Sequence, residues 1–253
     1  MFVKSICIGL MSAVTLLYQQ AASAEPAPSD VQVMLVEDGE AVHYRGGLDE
    51  SAISRVEDLI KNADGRVKRL VIDSAGGEIN LGMDLAGLVV KNGLDVVVDR
   101  LCASSCANYV FPAGKIKRIT PNALVLWHGS AIQEGIEQVP ATEDHPTFDG
   151  MALSPLEKRQ VLESAREKYA QYISDAQARQ EAFFKRLGVD ARVTVMGQQL
   201  KVAQEWTLSP EDMAYFGIHN VTASADYGQT LPEYARERGV KWLRLVDYPN
   251  YLK

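Results

Sequence analysis

Short apolar runs alternate with helical periodicity through the first half of the 253-residue chain, and their order predicts the class of fold. Residues 31–36 and 41–44 flank the polar stretch 37–40, which predicts a hairpin, and Gly46 and Gly47 end it. From Glu50 to Asn62, Ile53, Val56, Leu59 and Ile60 fall on one helical face, with Asp49 placed as N-cap and 62–65 as the stop. Residues 69–72 form a short apolar run suited to a strand buried on both faces, and it stops at Asp73, Ser74, Ala75, Gly76 and Gly77. A second helix is predicted over about 79–92, closed by Gly93, and 96–98 and 124–127 read as two more buried strands. Strand, helix, strand, helix, strand at this spacing predicts crossover connections and an α/β domain with a mainly parallel sheet.

The second half has a different texture. Residues 130–154 are polar and acidic, with Glu134, Glu137, Glu143, Asp144 and Asp149 in a stretch that also holds Pro140 and Pro146. That is long for a connection, and it has two readings: a substrate-facing lid, or a loop without function. Residues 155–187 then keep the three-to-four spacing of apolar positions, from Leu162 to Leu187, which predicts a long amphipathic helix or helix pair. Such an arm packs on its own domain or on a second subunit. A short helix is expected after Ser209, and the aromatic tail 227–253 is expected to pack on the body.

Composition narrows the picture. With 47% hydrophobic residues the chain can fill one sizeable core, and one domain is expected over 25–253. A net charge of -7 without a long basic run excludes a nucleic-acid footprint. The first 24 residues carry Lys4, an apolar stretch over 6–17, and Ala22, Ser23 and Ala24 in the A-x-A arrangement of a cleavable signal peptide. That stretch is shorter than the roughly 20 residues of a spanning helix, so the expectation is export to the periplasm or beyond, with no membrane anchor after cleavage. Cleavage removes Cys7 and leaves Cys102 and Cys106. Two readings stand for them: a local bridge, closing a loop so short that it stabilises by only about 2 kcal/mol, or two small buried thiols.

Three stretches carry candidate chemistry. Ser74 to Gly82, SAGGEINLG, lies where a buried strand gives way to a helix, so Gly76 and Gly77 can aim backbone N–H groups at an anion, or form only a tight turn. Ser105 stands at a strand-to-helix junction, where it is a nucleophile flanked by the Cys106 amide, or an N-cap or packing residue; Ser104 competes for either role. His128 ends an apolar strand in LVLWHGS, where a base for that serine, or a structural histidine, would stand. His43, His145 and His219 show no metal-ligand spacing with it or with the cysteines, and neither metal nor cofactor is expected.

In order along the chain, Ser74 to Gly82 as S-x-G-G-x4-G, Ala-Ser before a small-residue helix at 103–107, Ala113-Gly114, the strand ending at His128, and LSPEDMAYFGIHNV at 208–221 resemble the Clp-type serine peptidases of the Clp/crotonase superfamily. The resemblance covers roughly 49–221. It implies repeated ββα units with a mainly parallel sheet and a protruding helical arm at 155–187. It also implies Ser105 as nucleophile, His128 as base, and the amides of Gly77 or Gly76 and of Cys106 as oxyanion hole. The family's third acid, three residues before the closing Leu-Ser, falls on Glu205, with Asp212, or a Ser/His dyad with no third acid, as the alternatives. Ala75 stands where the family usually has Pro, and Leu101 where a Gly commonly precedes the serine. The implied protein is an exported serine peptidase-like hydrolase acting on peptides or proteins as a homo-oligomer. The alternative is a catalytically inactive binding or assembly protein on the same fold.

Overall fold

The computed structural model describes residues 31–136, 147–148, 151–152, 154–227 and 231–251. The expected leader over 1–24 and much of the acidic stretch 130–154 lie outside the described residues. Among the described residues no helix is long and apolar enough to cross a membrane.

Strands β1 (Gln32–Val36) and β2 (Ala41–Arg45) form the expected antiparallel hairpin, with Val36 opposite Ala41. Helix α1 (Glu50–Asn62) begins where the Asp49 carboxylate accepts the N–H of Ala52 at 2.9 Å, and it buries Ala52, Ile53, Val56 and Ile60. Strand β3 (Arg69–Ser74) leads into α2 (Ile79–Asn92), whose N-terminus is capped by Glu78, accepting from the N–H groups of Asn80 and Leu81 at 2.8 Å each. Gly93, at φ +60°, terminates α2 in the left-handed conformation that a glycine adopts without a Cβ penalty.

Strand β4 (Asp95–Ala103) is the longest, and its length decides the architecture around the site. Its first half pairs in parallel with β5 (Lys117–Ile119); its second half pairs in parallel with β6 (Leu124–Leu126), placing Ala103 beside Leu126. Between β4 and β5 the chain makes a π-helical turn, Cys106–Val110, that runs into the single turn α3 (Phe111–Ala113). Counting β10 (Val221–Thr222), the sheet has seven strands in the order β1-β2-β3-β4-β5-β10 with β6 beside β4, and every pairing except β1 with β2 is parallel. The expected α/β class with a mainly parallel sheet is therefore the observed one. A ββα grouping is seen at β1-β2-α1, and strands and helices alternate singly from there to the π-helical turn.

Residues Pro155–Leu187 form one helix, α4. By its contacts the chain divides within this helix: Gln138–Tyr169 group apart from Val31–Glu137 and Ala170–Lys253. In the smaller group β7 (Thr147–Phe148) and β8 (Met151–Ala152) pair antiparallel, and α4 opens with a capping box. There the N–H of Ser154 donates to Glu157 Oε2 at 2.8 Å, and the N–H of Glu157 donates to Ser154 Oγ. In the larger group the later turns of α4 bury Ile173, Ala176, Gln180, Phe183 and Phe184. Tyr109 packs edge-on to Phe183 and stacked on Phe184, with ring centroids 5.9 Å away in each case, and its hydroxyl donates to Gln180 at 2.6 Å. The helix is thereby fastened to the segment directly behind the two serines.

The remaining elements are α5 (Met196–Gln199), β9 (Trp206–Thr207), α6 (Pro210–Tyr215), α7 (Glu233–Glu237) and β11 (Lys241–Trp242), with β9 and β11 paired in parallel. Helix α6 starts where Ser209 Oγ accepts the N–H of Asp212, as expected for the stretch after Ser209. Trp127 and Trp206, both fully buried, exchange backbone hydrogen bonds of 2.8 and 2.9 Å. That exchange ties the chain just before His128 to the C-terminal segment.

Candidate active site

The site is assembled at the carboxyl ends of β3, β4 and β6, where parallel strands give way to loops. The register of β4 against β6 brings the serines to the histidine: the N–H of Ser104 donates to the carbonyl of Leu126 at 3.0 Å, and His128 follows two residues later. Sequence patterning placed both segments at strand ends. The pairing of β4 with β6, rather than with β5 alone, is what makes those ends adjacent.

The two serines have different surroundings. Ser105 is 2% exposed, and its hydroxyl donates to the carbonyl of Gly77 at 2.8 Å. Its Cβ faces Gly82 so closely that a Cβ on Gly82 would lie 2.8 Å away, which explains the last glycine of SAGGEINLG. The Ser105 hydroxyl thus ties the β4 turn to the loop before α2. Ser104 is half-buried and sits at φ +56°, a left-handed conformation that costs a serine free energy, at the turn between β4 and the π-helical segment. A sharp, strained strand-to-helix turn is the geometry that lifts a nucleophilic serine out of a sheet. The π-helical turn that follows belongs to a class of helix irregularity that recurs at functional sites.

The loop between β3 and α2 is moulded to this turn. Gly76 is at φ +89°, and a Cβ there would stand 2.5 Å from the carbonyl oxygen of Ala103 and 2.7 Å from the Cβ of Ser104. Its N–H donates to Ser74 Oγ at 3.1 Å, so this one of the expected oxyanion donors is engaged within its own loop. Cys102 and Cys106 are joined as a disulfide with their Cα atoms 5.2 Å apart, bridging the last residues of β4 to the first of the π-helical turn and enclosing both serines. Of the two readings of the cysteines, the structure has the bridge.

His128 is exposed and opens onto a cleft of about 420 Å³ that is also lined by Ala75, Ala103, Leu126, Gln133, Gln198, Gln204, Glu205 and Arg238. Its ring makes no hydrogen bond among the described residues, while its backbone carbonyl accepts from Gln198 Nε2 at 2.7 Å. Glu205 reaches the same cleft, but both its carboxylate oxygens are held by Arg238: Nε donates to Oε2 at 3.0 Å and an Nη group to Oε1. The structure therefore gathers Ser104, Ser105, Gly76, Gly77, Cys106, His128 and Glu205 at one edge of the sheet and pairs the carboxylate with an arginine. Asp212 lies elsewhere, its carboxylate accepting the N–H of Leu245; burial raises its pKa above the ordinary carboxylate value. Among the described residues no cluster of three or more His, Cys, Asp or Glu side chains is placed to hold a metal ion.

Sequence reasoning did not find Asn108, Gln198 or Arg238. A signal existed for the first: Asn108 is the lone strongly polar residue in the run CANYVF after the serines. Gln198 and Arg238 come from distant segments and carry no local mark.

Comparison with known proteins adds structural likeness alone. No family model matches the chain, and no curated protein matches it. Among solved structures it is similar to a point mutant of ClpP1 from Listeria monocytogenes, at 15% identity, covering 75% of this chain and 94% of that one, with a TM-score of 0.43.

Proposed function

We propose that the protein is a serine hydrolase of the Clp/crotonase type that cleaves peptide bonds, with Ser104 as nucleophile and His128 as general base. The observation that carries this reading is the pair of serines at the β4 turn, one strained and half-exposed, the other buried with its hydroxyl committed to Gly77. In this scheme Ser104 Oγ attacks the substrate carbonyl as His128 takes its proton. The tetrahedral oxyanion forms near the amides of Gly77 and Cys106, where fixed donors favour it over the planar ground state. The imidazolium then returns the proton to the leaving amine, and water releases the acyl group by the reverse sequence. The cleft supports an amide-rich substrate, because Gln133, Gln198 and Gln204 line it. Export of the chain and assembly into a homo-oligomer belong to the same reading.

The resemblance drawn from sequence placed the nucleophile one residue later, at Ser105, and one experiment separates the two. The full chain, expressed with its leader and recovered from the exported fraction, is treated with a fluorophosphonate probe. Labelling is expected in wild type and in Ser105→Ala, and absent in Ser104→Ala and His128→Ala. Labelling lost only in Ser105→Ala moves the nucleophile to that residue. Folded protein that never labels favours the non-catalytic binding or assembly reading.

A further inference from the structure

Asn108 is 2% exposed and makes two hydrogen bonds that span the site. Its backbone N–H donates to the carbonyl of Ser104 at 2.8 Å, closing the first turn after the strained serine. Its side-chain Nδ2 donates to the carbonyl of Gly129 at 2.8 Å, in the residue directly after His128. Gly129 is at φ +138°, a conformation essentially reserved for glycine, so the backbone leaving His128 has been bent to present that carbonyl. The other side-chain atom, Oδ1, is buried and has no hydrogen-bond partner among the described residues.

The orphan oxygen bears on the role. Buried polar groups are nearly always paired, because leaving one unpaired forfeits its hydration. Packing alone would be served by an apolar residue of similar size. An amide retained here with one end unsatisfied indicates that the other end, the donor to Gly129, is what the position requires. An aspartate has the same shape but no donor, and would set a carboxylate oxygen against a carbonyl oxygen.

We propose that Asn108 is a positioning residue that sets the separation and orientation of Ser104 and His128, by holding the carbonyl of one segment through its own backbone and of the other through its side chain. This rests on the hydrolase reading above. Asn108 touches neither substrate nor reacting atoms and acts through the backbone on both sides. Gln198 holds His128 from the exposed side at 2.7 Å, so its removal is expected to matter less.

The test uses the full chain with Asn108→Asp, Asn108→Ala and Gln198→Ala, and measures fluorophosphonate inactivation together with amide hydrogen exchange. The inactivation rate constant is expected to fall on the order of 100-fold in both Asn108 variants, per folded molecule, with the probe's apparent binding constant unchanged. Gln198→Ala is expected to slow the reaction less than about 10-fold. Exchange is expected to speed up together at 104–108 and at 128–131 in Asn108→Asp. A wild-type rate constant in folded variants, or a fall explained entirely by lost folded fraction, overturns the proposal. Should wild type not react with the probe, the hydrolase reading fails by itself. Exchange then still decides the structural half: faster at both segments supports the tie, and unchanged exchange in Asn108→Asp overturns it.

Discussion

The two halves of the candidate site are held by different physics. The serine turn is built from near neighbours in sequence and from close packing: a disulfide spanning five residues, a strained φ at Ser104, and Gly76 and Gly82 set where a single Cβ would collide. The histidine side is exposed and is held from a distance. Trp206 and Gln198 reach it from segments some 70 to 80 residues downstream, through backbone hydrogen bonds to Trp127 and an amide on the His128 carbonyl, and the Glu205–Arg238 pair lines the same cleft. The difference teaches that the serine turn is rigid by construction, whereas the geometry at His128 depends on how the C-terminal segment docks.

That contrast can be broken in graded steps. The largest effect is expected from Gly76→Ala, which adds a Cβ 2.5 Å from the carbonyl oxygen of Ala103 at a backbone φ of +89°. A loss of about 3 kcal/mol in urea unfolding is expected, and a loss under about 1 kcal/mol shows that the turn is not tightly moulded. Next comes the disulfide. Replacing both Cys102 and Cys106 with alanine should lower stability by about 2 kcal/mol on loop entropy, and should slow probe labelling more than stability explains, because the bridge encloses both serines.

The smallest effect is expected from the ion pair. Arg238 is largely exposed, so a double-mutant cycle over Glu205→Gln and Arg238→Gln should give a coupling below about 1 kcal/mol. The same variants sharpen the roles: if Glu205 orients His128, labelling slows in Glu205→Gln far more than in Arg238→Gln. If the pair is a strut of the cleft wall, the two variants behave alike.

Much of this was legible beforehand, and the reason differs from place to place. The periodicity of Ile53, Val56 and Ile60 sufficed for α1, and Asp49 and Gly93 acted as the cap and stop their chemistry dictates. The run over 155–187 was legible as helical for the same reason, and the structure makes it one unbroken helix. The glycines of SAGGEINLG were legible as a strand-to-helix loop, but not their task, since what a Cβ would strike at Gly76 and Gly82 belongs to the β4 turn. The two adjacent serines were both legible as candidates. Composition says nothing about which of them occupies the left-handed turn, and one residue separates a half-buried serine from one that is 2% exposed with its hydroxyl on Gly77.

The sequence by itself determined the alternation of strands and helices, the parallel sheet, and the placing of a serine pair and a histidine at strand ends, because these follow from local periodicity and turn chemistry. Only the tertiary structure decided that β4 runs long enough to pair with β6, that Ser105 closes on Gly77, that Arg238 takes Glu205, and that Asn108 ties the two segments together. Each of these is a contact between groups whose meeting depends on strand register and packing, and none is written in the neighbourhood of a residue.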